Sequence, residues 1–317
     1  MLLYAVWMLV GLIGLVFGAE SLVRGASAIA QKLGVRPAVV GLTVVAWGTS
    51  FPELMISIDA SLGGFADLAI ANVVGSNFYN ITLIVGLSGL ISGLSVQRET
   101  LRIDLPAMLA ATLAFVAVAA DGEISRFEGG LFVIALVAFT IFVLWMMPPE
   151  GSSGPHTSSF MLIKPPSIPW ASEIVAVLAV LIGVACLGYG AQWFTDGAVS
   201  IAESLGVSRR VIGLTLVALG TSLPELATSI VAALRGQADI AVSNVVGSNL
   251  LNLLVIVGVA AMIRPIPVAA HVVYQDMGIL LGISGIFGFF LWTGTRIVRL
   301  EGFTLLALGV AYTMWLI

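Results

Sequence analysis

The chain has 317 residues, of which 59% are hydrophobic and only 9% are charged, and its formal net charge is −4. Soluble domains are about one quarter charged, so this composition excludes an ordinary soluble protein. The small, scattered negative charge gives no basis for binding nucleic acid, and a single cysteine excludes a disulfide framework or a thiolate metal cluster within one chain. The mean hydropathy of +1.11 predicts an integral membrane protein built from transmembrane helices.

Hydropathy and turn signals predict ten membrane-spanning helices. The first begins at the N-terminus and lacks the basic region of a signal peptide, so we interpret it as a span. In chain order the predicted spans cover residues 2–22, 38–62, 67–91, 103–120, 127–147, 172–198, 210–234, 239–263, 274–293 and 300–317.

A proline-rich stretch at residues 148–171 separates five predicted spans from the other five. It contains six of the twelve prolines and is too short for a folded domain, so we expect a flexible tether. The chain is therefore predicted to consist of a first five-helix repeat at 1–147 and a second at 172–317.

The two halves are copies of each other. Residues 33–91 align without gaps on residues 205–263, at an offset of 172, with 34 identical residues in 59 positions. Because five is an odd number of spans, the second copy enters the membrane from the opposite side. Inverted repeats of this kind are common in secondary transporters. The predicted fold is therefore all-α and membrane-embedded, with ten transmembrane helices in two inverted five-helix repeats.

The distribution of lysine and arginine predicts the orientation. If the loops alternate sides, nine of the thirteen basic residues lie on the side of the loop between the first and second spans. The positive-inside rule places that side in the cytoplasm. We therefore expect a multi-pass protein of the cell (inner) membrane with both termini extracellular or periplasmic.

Spans 2 and 7 each contain a proline and a glutamate, in "GTSFPEL" from Gly48 and "GTSLPEL" from Gly220. Pro52 and Pro224 each remove a backbone donor and clash with the carbonyl four residues earlier. At membrane depth such a break persists only where the freed carbonyls are buried in protein or line a wet cavity. The sequence therefore predicts that helices 2 and 7 are broken near a polar site.

The spans that follow contain "NVVGSNFYN" and "NVVGSNLLN", in which a serine and an asparagine four residues apart share one helical face. Carboxylate, hydroxyl and amide oxygens suit hard cations such as Ca²⁺ and Na⁺. A carboxylate at mid-membrane costs at least about 2.5–3.5 kcal/mol, so two at symmetric positions indicate a compensating cation. The candidate side chains are Thr49, Ser50, Glu53, Ser76 and Asn80 in the first half, and Thr221, Ser222, Glu225, Ser248 and Asn252 in the second.

Other polar residues in the spans have two interpretations. Glu20 and Asp59 have uncharged repeat mates, so we do not expect them to be central ligands. Four further asparagines are either ligands or hydrogen-bonding residues between helices. These are Asn72, Asn77, Asn244 and Asn249.

The paired motifs resemble the two repeats that define the sodium/calcium exchangers, within the cation/calcium antiporter superfamily. The resemblance covers the whole ten-span plan, with the repeat motifs at residues 41–91 and 213–263. It is strongest to the compact prokaryotic members, because residues 148–171 leave no room for the large regulatory region of the eukaryotic forms.

The resemblance implies a secondary-active antiporter in the lipid bilayer that exchanges Na⁺ for Ca²⁺ by alternating access at a central site built from both repeats. It implies that the ten side chains named above are ion ligands, together with the backbone carbonyls of Ala46 and Ala218. Ca²⁺ and Na⁺ are the transported ions, no cofactor is expected, and a monomer is expected to suffice for transport. Many sodium/calcium and potassium-dependent relatives have aspartate where this chain has Asn252, and this difference argues against K⁺ dependence.

Other functions stay open as alternatives. An H⁺/Ca²⁺ antiporter could use the same two glutamates, but proton-coupled relatives tend to have GN-type motifs where this chain has "GTS", so Na⁺ is favoured. A channel would need a continuous pore, whereas ligands at one midplane site favour alternating access. An intramembrane enzyme would need a nucleophile–base pair or a metal motif such as HExxH, and neither occurs.

Overall fold

The structure, a computed structural model, describes residues 2–146, 173–207, 216 and 218–316. The predicted linker at 148–171 and the start of the predicted seventh span lie outside these residues. The helices of the first half are α1 Leu2–Leu33, α2 Pro37–Thr49, α3 Phe51–Gly63, α4 Leu68–Ser92, α5 Thr100–Ala119 and α6 Arg126–Met146. The helices of the second half are α7 Glu173–Ser204, α8 Ala218–Thr221, α9 Leu223–Leu234, α10 Ala238–Ile263, α11 Val272–Gly294 and α12 Arg299–Leu316.

The described helices confirm an all-helical membrane protein with several spans. Seven of them are long and apolar enough to cross a membrane, and α2 with α3 form an eighth if this bent pair is one broken span. The count of ten spans stays a prediction. Helix α9 has only 12 residues, and α12 has Arg299 and Glu301 in its first turn, which lower its hydropathy.

Helices α1 and α7 are longer than the sequence predicted. Each has 32 residues, so each is about 48 Å long, whereas the hydrocarbon core of a bilayer is about 30 Å thick. The first span was predicted to cover residues 2–22, and the helix that contains it continues to Leu33. Arg24 lies within it and pairs with Glu20 one turn earlier, which keeps both charges compatible with a helix.

Glycines allow α1 and α7 to pack with their backbones in contact. A Cβ atom added at Gly18 would lie 2.8 Å from the carbonyl oxygen of Gly183, and one added at Gly183 would lie 2.7 Å from the amide nitrogen of Leu22. Small residues permit this approach between helices in membranes, where packing replaces hydrophobic attraction. The two long helices therefore pack as one closely joined pair.

Helices α4 and α10 form the centre of the bundle. In their most apolar windows 72% and 83% of the residues are buried, compared with 22% in α6. Each contains a wider π-helical turn in the middle, Asn80–Val85 in α4 and Asn252–Ile256 in α10. Such turns often mark functional sites, and both begin at a predicted ligand.

Two short antiparallel ribbons join the halves. Strand β1 (Leu94–Ser95) pairs with β4 (Arg296–Ile297), and β2 (Glu123–Ile124) pairs with β3 (Ile266–Pro267). Because paired strands lie side by side, the loop before α5 and the loop before α12 are on the same face of the molecule. The loops after α5 and after α10 likewise share a face.

Candidate cation-binding site

The structure breaks the second and seventh predicted helices at equivalent serines. Ser50 lies between α2 and α3 with φ −83° and ψ 5°, and Ser222 lies between α8 and α9 with φ −88° and ψ 5°. Pro52 and Pro224 occupy the first turn of the helix that follows, where a missing backbone N–H costs nothing. The axes of α2 and α3 differ by 46°.

The two glutamates lie in the first turns of the helices that begin at these breaks. Glu53 in α3 and Glu225 in α9 are both 1% exposed. The positive end of a helix dipole favours a carboxylate at this position. Their carboxyl groups lie close enough to interact electrostatically, so the structure places two acidic groups from different halves in one buried region.

Hydrogen bonds between the halves assemble the rest of the site. The Ser50 hydroxyl donates to Glu225 Oε1 at 2.9 Å, and the Thr49 hydroxyl donates to Asn244 Oδ1 at 3.3 Å. The Asn80 amide contacts Asn249 across the α4–α10 crossing. Both repeats therefore contribute to a single cluster.

Many oxygens of this cluster are buried without a hydrogen-bonding partner among the described residues. A buried polar oxygen without a partner costs free energy, whereas a bound cation would satisfy several at once. Ca²⁺ takes about six to eight oxygen ligands. The unpartnered atoms are Glu53 Oε2, Ser76 Oγ, Asn80 Oδ1, Ser222 Oγ, Glu225 Oε2, Ser248 Oγ and Asn252 Oδ1.

The backbone carbonyls at the breaks have different partners in the two halves. The Ala46 carbonyl accepts from the Ser50 N–H at 2.9 Å and from the Thr49 hydroxyl at 3.3 Å. In the second half the Ser222 N–H instead donates to the carbonyl of Leu219 at 3.1 Å. A cation at the Ala46 carbonyl would therefore compete with the Thr49 hydroxyl.

Asn72 and Asn244 make matching hydrogen bonds within their own halves. Asn72 Nδ2 donates to the Ser57 hydroxyl and Asn244 Nδ2 donates to the Ser229 hydroxyl, both at 3.1 Å. These contacts join α3 to α4 and α9 to α10. In the structure these two asparagines link helices.

Asn77 and Asn249 contact the predicted amide ligands directly. Asn80 Nδ2 donates to Asn249 Oδ1 and Asn252 Nδ2 donates to Asn77 Oδ1, each at 3.0 Å. The later residue of α4 pairs with the earlier residue of α10, so the two helices cross in antiparallel directions. Nothing in the spacing of one motif alone indicates which asparagine of the other motif it meets.

Glu20 and Asp59 have surroundings different from those of the two buried glutamates. Glu20 pairs with Arg24 on its own helix and with Arg235, which follows α9, and Asp59 is exposed. Arg235 Nε donates to Glu20 Oε2 at 2.7 Å. No pattern in the sequence indicates this contact, because neither Glu20 nor Arg235 has a charged mate in the other half.

A cavity of about 160 Å³ reaches the second break. It lies between α4, α7 and α9, and Ser222 and Gly220 line it together with Phe194 and Thr195 of the long helix α7. The space next to the unpartnered Ser222 hydroxyl is therefore bounded by α7 on one side.

Comparison with known proteins identifies the family. The model of the sodium/calcium exchanger protein family matches residues 3–145 and 175–317, and each bound of the second match lies 172 residues after the first. The chain is 35% identical, over an alignment of 335 positions, to sodium/calcium exchanger MaX1 of Methanosarcina acetivorans. The alignment covers 96% of each chain. It is 34% identical over 293 residues to inner membrane protein YrbG of Escherichia coli, covering 92% of this chain and 90% of that protein.

A solved structure agrees with this result. The sodium-calcium exchanger NCX_Mj, soaked with zero Na⁺ and Ca²⁺, superposes with a TM-score of 0.84 at 30% identity, covering 100% of this chain and 99% of that chain. The matched family, MaX1 and NCX_Mj are sodium/calcium exchangers, which confirms the prediction of a transporter and not an enzyme. The chain belongs to the sodium/calcium exchanger family.

Proposed function

We propose that this protein exchanges Na⁺ for Ca²⁺ across the membrane. Membership of the family supports antiport of cations including Ca²⁺. The observation that carries the proposal is the cluster of buried, unpartnered oxygens around Glu53 and Glu225. Two carboxylates balance one Ca²⁺, and the same oxygens suit several Na⁺ ions, so the two cations would compete for one site.

The proposed ligands are the set predicted from the sequence. They are the side chains of Thr49, Ser50, Glu53, Ser76, Asn80, Thr221, Ser222, Glu225, Ser248 and Asn252, with the carbonyls of Ala46 and Ala218. One chain supplies all of them, so a monomer would suffice for transport. Na⁺ is favoured over H⁺ as the driving ion because both motifs contain "GTS", whereas proton-coupled relatives tend to have GN-type motifs at this position.

The architecture that we propose is two inverted five-helix repeats that alternate access to this site. Three observations support it: the antiparallel crossing of α4 and α10, the two ribbons between the halves, which the repeat relates to each other, and the equivalent breaks at Ser50 and Ser222. In this account the α1–α7 pair moves against the remaining helices. An empty site would hold two uncompensated carboxylates, which makes reorientation without a cation costly. From the distribution of basic residues and the positive-inside rule, we propose that both termini lie on the extracellular or periplasmic side of the cell (inner) membrane.

The test is ⁴⁵Ca²⁺ uptake by purified protein in liposomes loaded with Na⁺, with K⁺, or with a pH gradient. We expect concentrative uptake only with internal Na⁺, because coupling requires that Na⁺ replaces Ca²⁺ at the site. Uptake driven by the pH gradient alone would instead support the H⁺/Ca²⁺ alternative. Ca²⁺ that only equilibrates across the membrane and is never accumulated against its own gradient would contradict antiport. A channel gives this result, because it cannot couple two flows.

A further inference from the structure

We propose that Asn77 and Asn249 are positioning residues that orient the amide ligands Asn80 and Asn252, so that each presents its oxygen to the cation. The inference rests on the proposed function, because it concerns the same site. Neither Asn77 nor Asn249 belongs to the proposed ligand set. Each acts through the amide that it contacts.

The four asparagines form two crossed pairs, and all four are 1% exposed. Asn80 Nδ2 donates to Asn249 Oδ1 and Asn252 Nδ2 donates to Asn77 Oδ1, both at 3.0 Å. In each pair the predicted ligand is the donor and the other asparagine is the acceptor. The pairing therefore follows the two-fold relation between the halves.

This direction of donation matters because a side-chain amide has two different ends. With its NH₂ group held by the partner, the oxygen of the ligand is left without a hydrogen bond, as observed for Asn80 Oδ1 and Asn252 Oδ1. A reversed amide would turn two N–H donors toward the cation and repel it. An acceptor at the partner position therefore excludes the orientation that cannot bind a cation.

The first pair has an additional contact that fixes its direction. Asn249 Nδ2 lies 3.7 Å from Met108 Sδ, a weak acceptor that occupies the donor end of this amide and leaves Oδ1 facing Asn80. The residue equivalent to Met108 in the other half is Leu280, and Asn77 Nδ2 has no partner among the described residues. Asn249 is therefore the better position for a test.

The experiment measures equilibrium binding of ⁴⁵Ca²⁺ to purified protein, and displacement of Ca²⁺ by Na⁺. Leucine at position 249 is similar in size but cannot accept a hydrogen bond. Loss of a residue that orients a metal ligand typically weakens metal binding by about 10–100-fold. For Asn249→Leu we expect an increase of about 10-fold in the Kd for Ca²⁺ or in the half-displacing Na⁺ concentration.

A double-mutant cycle separates orientation from packing. If Asn249 acts by orienting Asn80, then Asn249→Leu has little further effect on cation binding in an Asn80→Leu background. If it acts only by packing, the two effects multiply. Asn249→Asp keeps an acceptor for Asn80 Nδ2, so we expect its affinity for Ca²⁺ to be no weaker than that of the wild type.

The outcomes distinguish this inference from the proposed function. The wild type could bind Ca²⁺ that Na⁺ displaces, while folded Asn249→Leu binds both cations with unchanged affinity. This result would overturn the orienting role alone. A wild type that binds neither cation would overturn both. If Asn249→Leu does not fold, the same double-mutant cycle is measured on the second pair with Asn77→Leu and Asn252→Leu. Effects on cation affinity that multiply in the double variant would again refute the inference.

Discussion

At the scale of single residues, Ser50 and Ser222 occupy equivalent helix breaks but have different partners. The Ser50 hydroxyl donates to Glu225 Oε1 at 2.9 Å, whereas the Ser222 hydroxyl has no hydrogen-bonding partner among the described residues. The repeat in the sequence predicts the equivalence of the two serines. It does not predict this difference, because the difference depends on how the two halves meet in one conformation.

This difference predicts unequal effects of the two alanine substitutions on the cation-free protein. Ser50→Ala leaves a buried carboxyl oxygen without its donor and should reduce the free energy of unfolding by about 1–3 kcal/mol. Ser222→Ala removes a hydroxyl with no partner and should change it little. Thermal unfolding of both purified variants, without Na⁺ or Ca²⁺, tests this expectation. Equal losses of stability would contradict it.

At the scale of the elements, the "NVVGSN" glycines are identical in sequence but differ in packing. A Cβ atom added at Gly247 of α10 would lie 2.6 Å from the Leu42 carbonyl oxygen and 2.8 Å from Ala46 Cβ, whereas one added at Gly75 of α4 would meet nothing within 4 Å. Helix α2 therefore packs directly on α10 at a proposed carbonyl ligand.

We predict that Gly247→Ala destabilises the protein by about 1–3 kcal/mol, because the added methyl group overpacks the contact between α2 and α10. It should also weaken Ca²⁺ binding, since Ala46 has to shift. Gly75→Ala is the matched control and should be neutral or stabilise by up to about 1 kcal/mol through helix propensity. Melting temperatures measure the change in stability, and ⁴⁵Ca²⁺ binding measures the change in affinity. The account of this contact would be refuted if Gly75→Ala were destabilised while Gly247→Ala kept the stability of the wild type.

Periodicity and proline predicted the helices better than their ends. The prolines at 52 and 224 correctly predicted interrupted helices, because a missing N–H is a local effect. The first span was predicted at residues 2–22, whereas helix α1 continues to Leu33, because hydropathy reports where a bilayer ends and not where a helix ends. Glu20 and Arg24, one turn apart, allow the helix to continue.

At the scale of the whole molecule, Glu20 and Arg235 join the long helix α1 to the end of α9, which begins at the site. The Arg235 side chain is 7% exposed and Glu20 25%. This contact crosses from one half to the other and has no counterpart by symmetry. No sequence pattern indicates it, because it depends on tertiary packing.

We predict that Glu20→Gln lowers the melting temperature, because it leaves a buried guanidinium without its charged partner, at a cost of up to about 3 kcal/mol. Replacing Glu20 and Arg235 by leucine should recover part of this loss, because an apolar pair of similar volume is often neutral whereas Arg24 still lacks its partner. Asp59→Asn, at an exposed position in α3, is the control and should have little effect. Full stability of Glu20→Gln alone would show that the pair contributes nothing.

The account depends most on one site shared by both halves of the molecule. Its most direct test is Na⁺-driven ⁴⁵Ca²⁺ uptake by Glu53→Gln and by Glu225→Gln, each compared with wild type and with Asp59→Asn in the same liposomes. We predict that either glutamine variant alone abolishes uptake while Asp59→Asn retains it, because each half supplies one of the two carboxylates that balance Ca²⁺. Wild-type uptake by either glutamine variant would contradict a shared site.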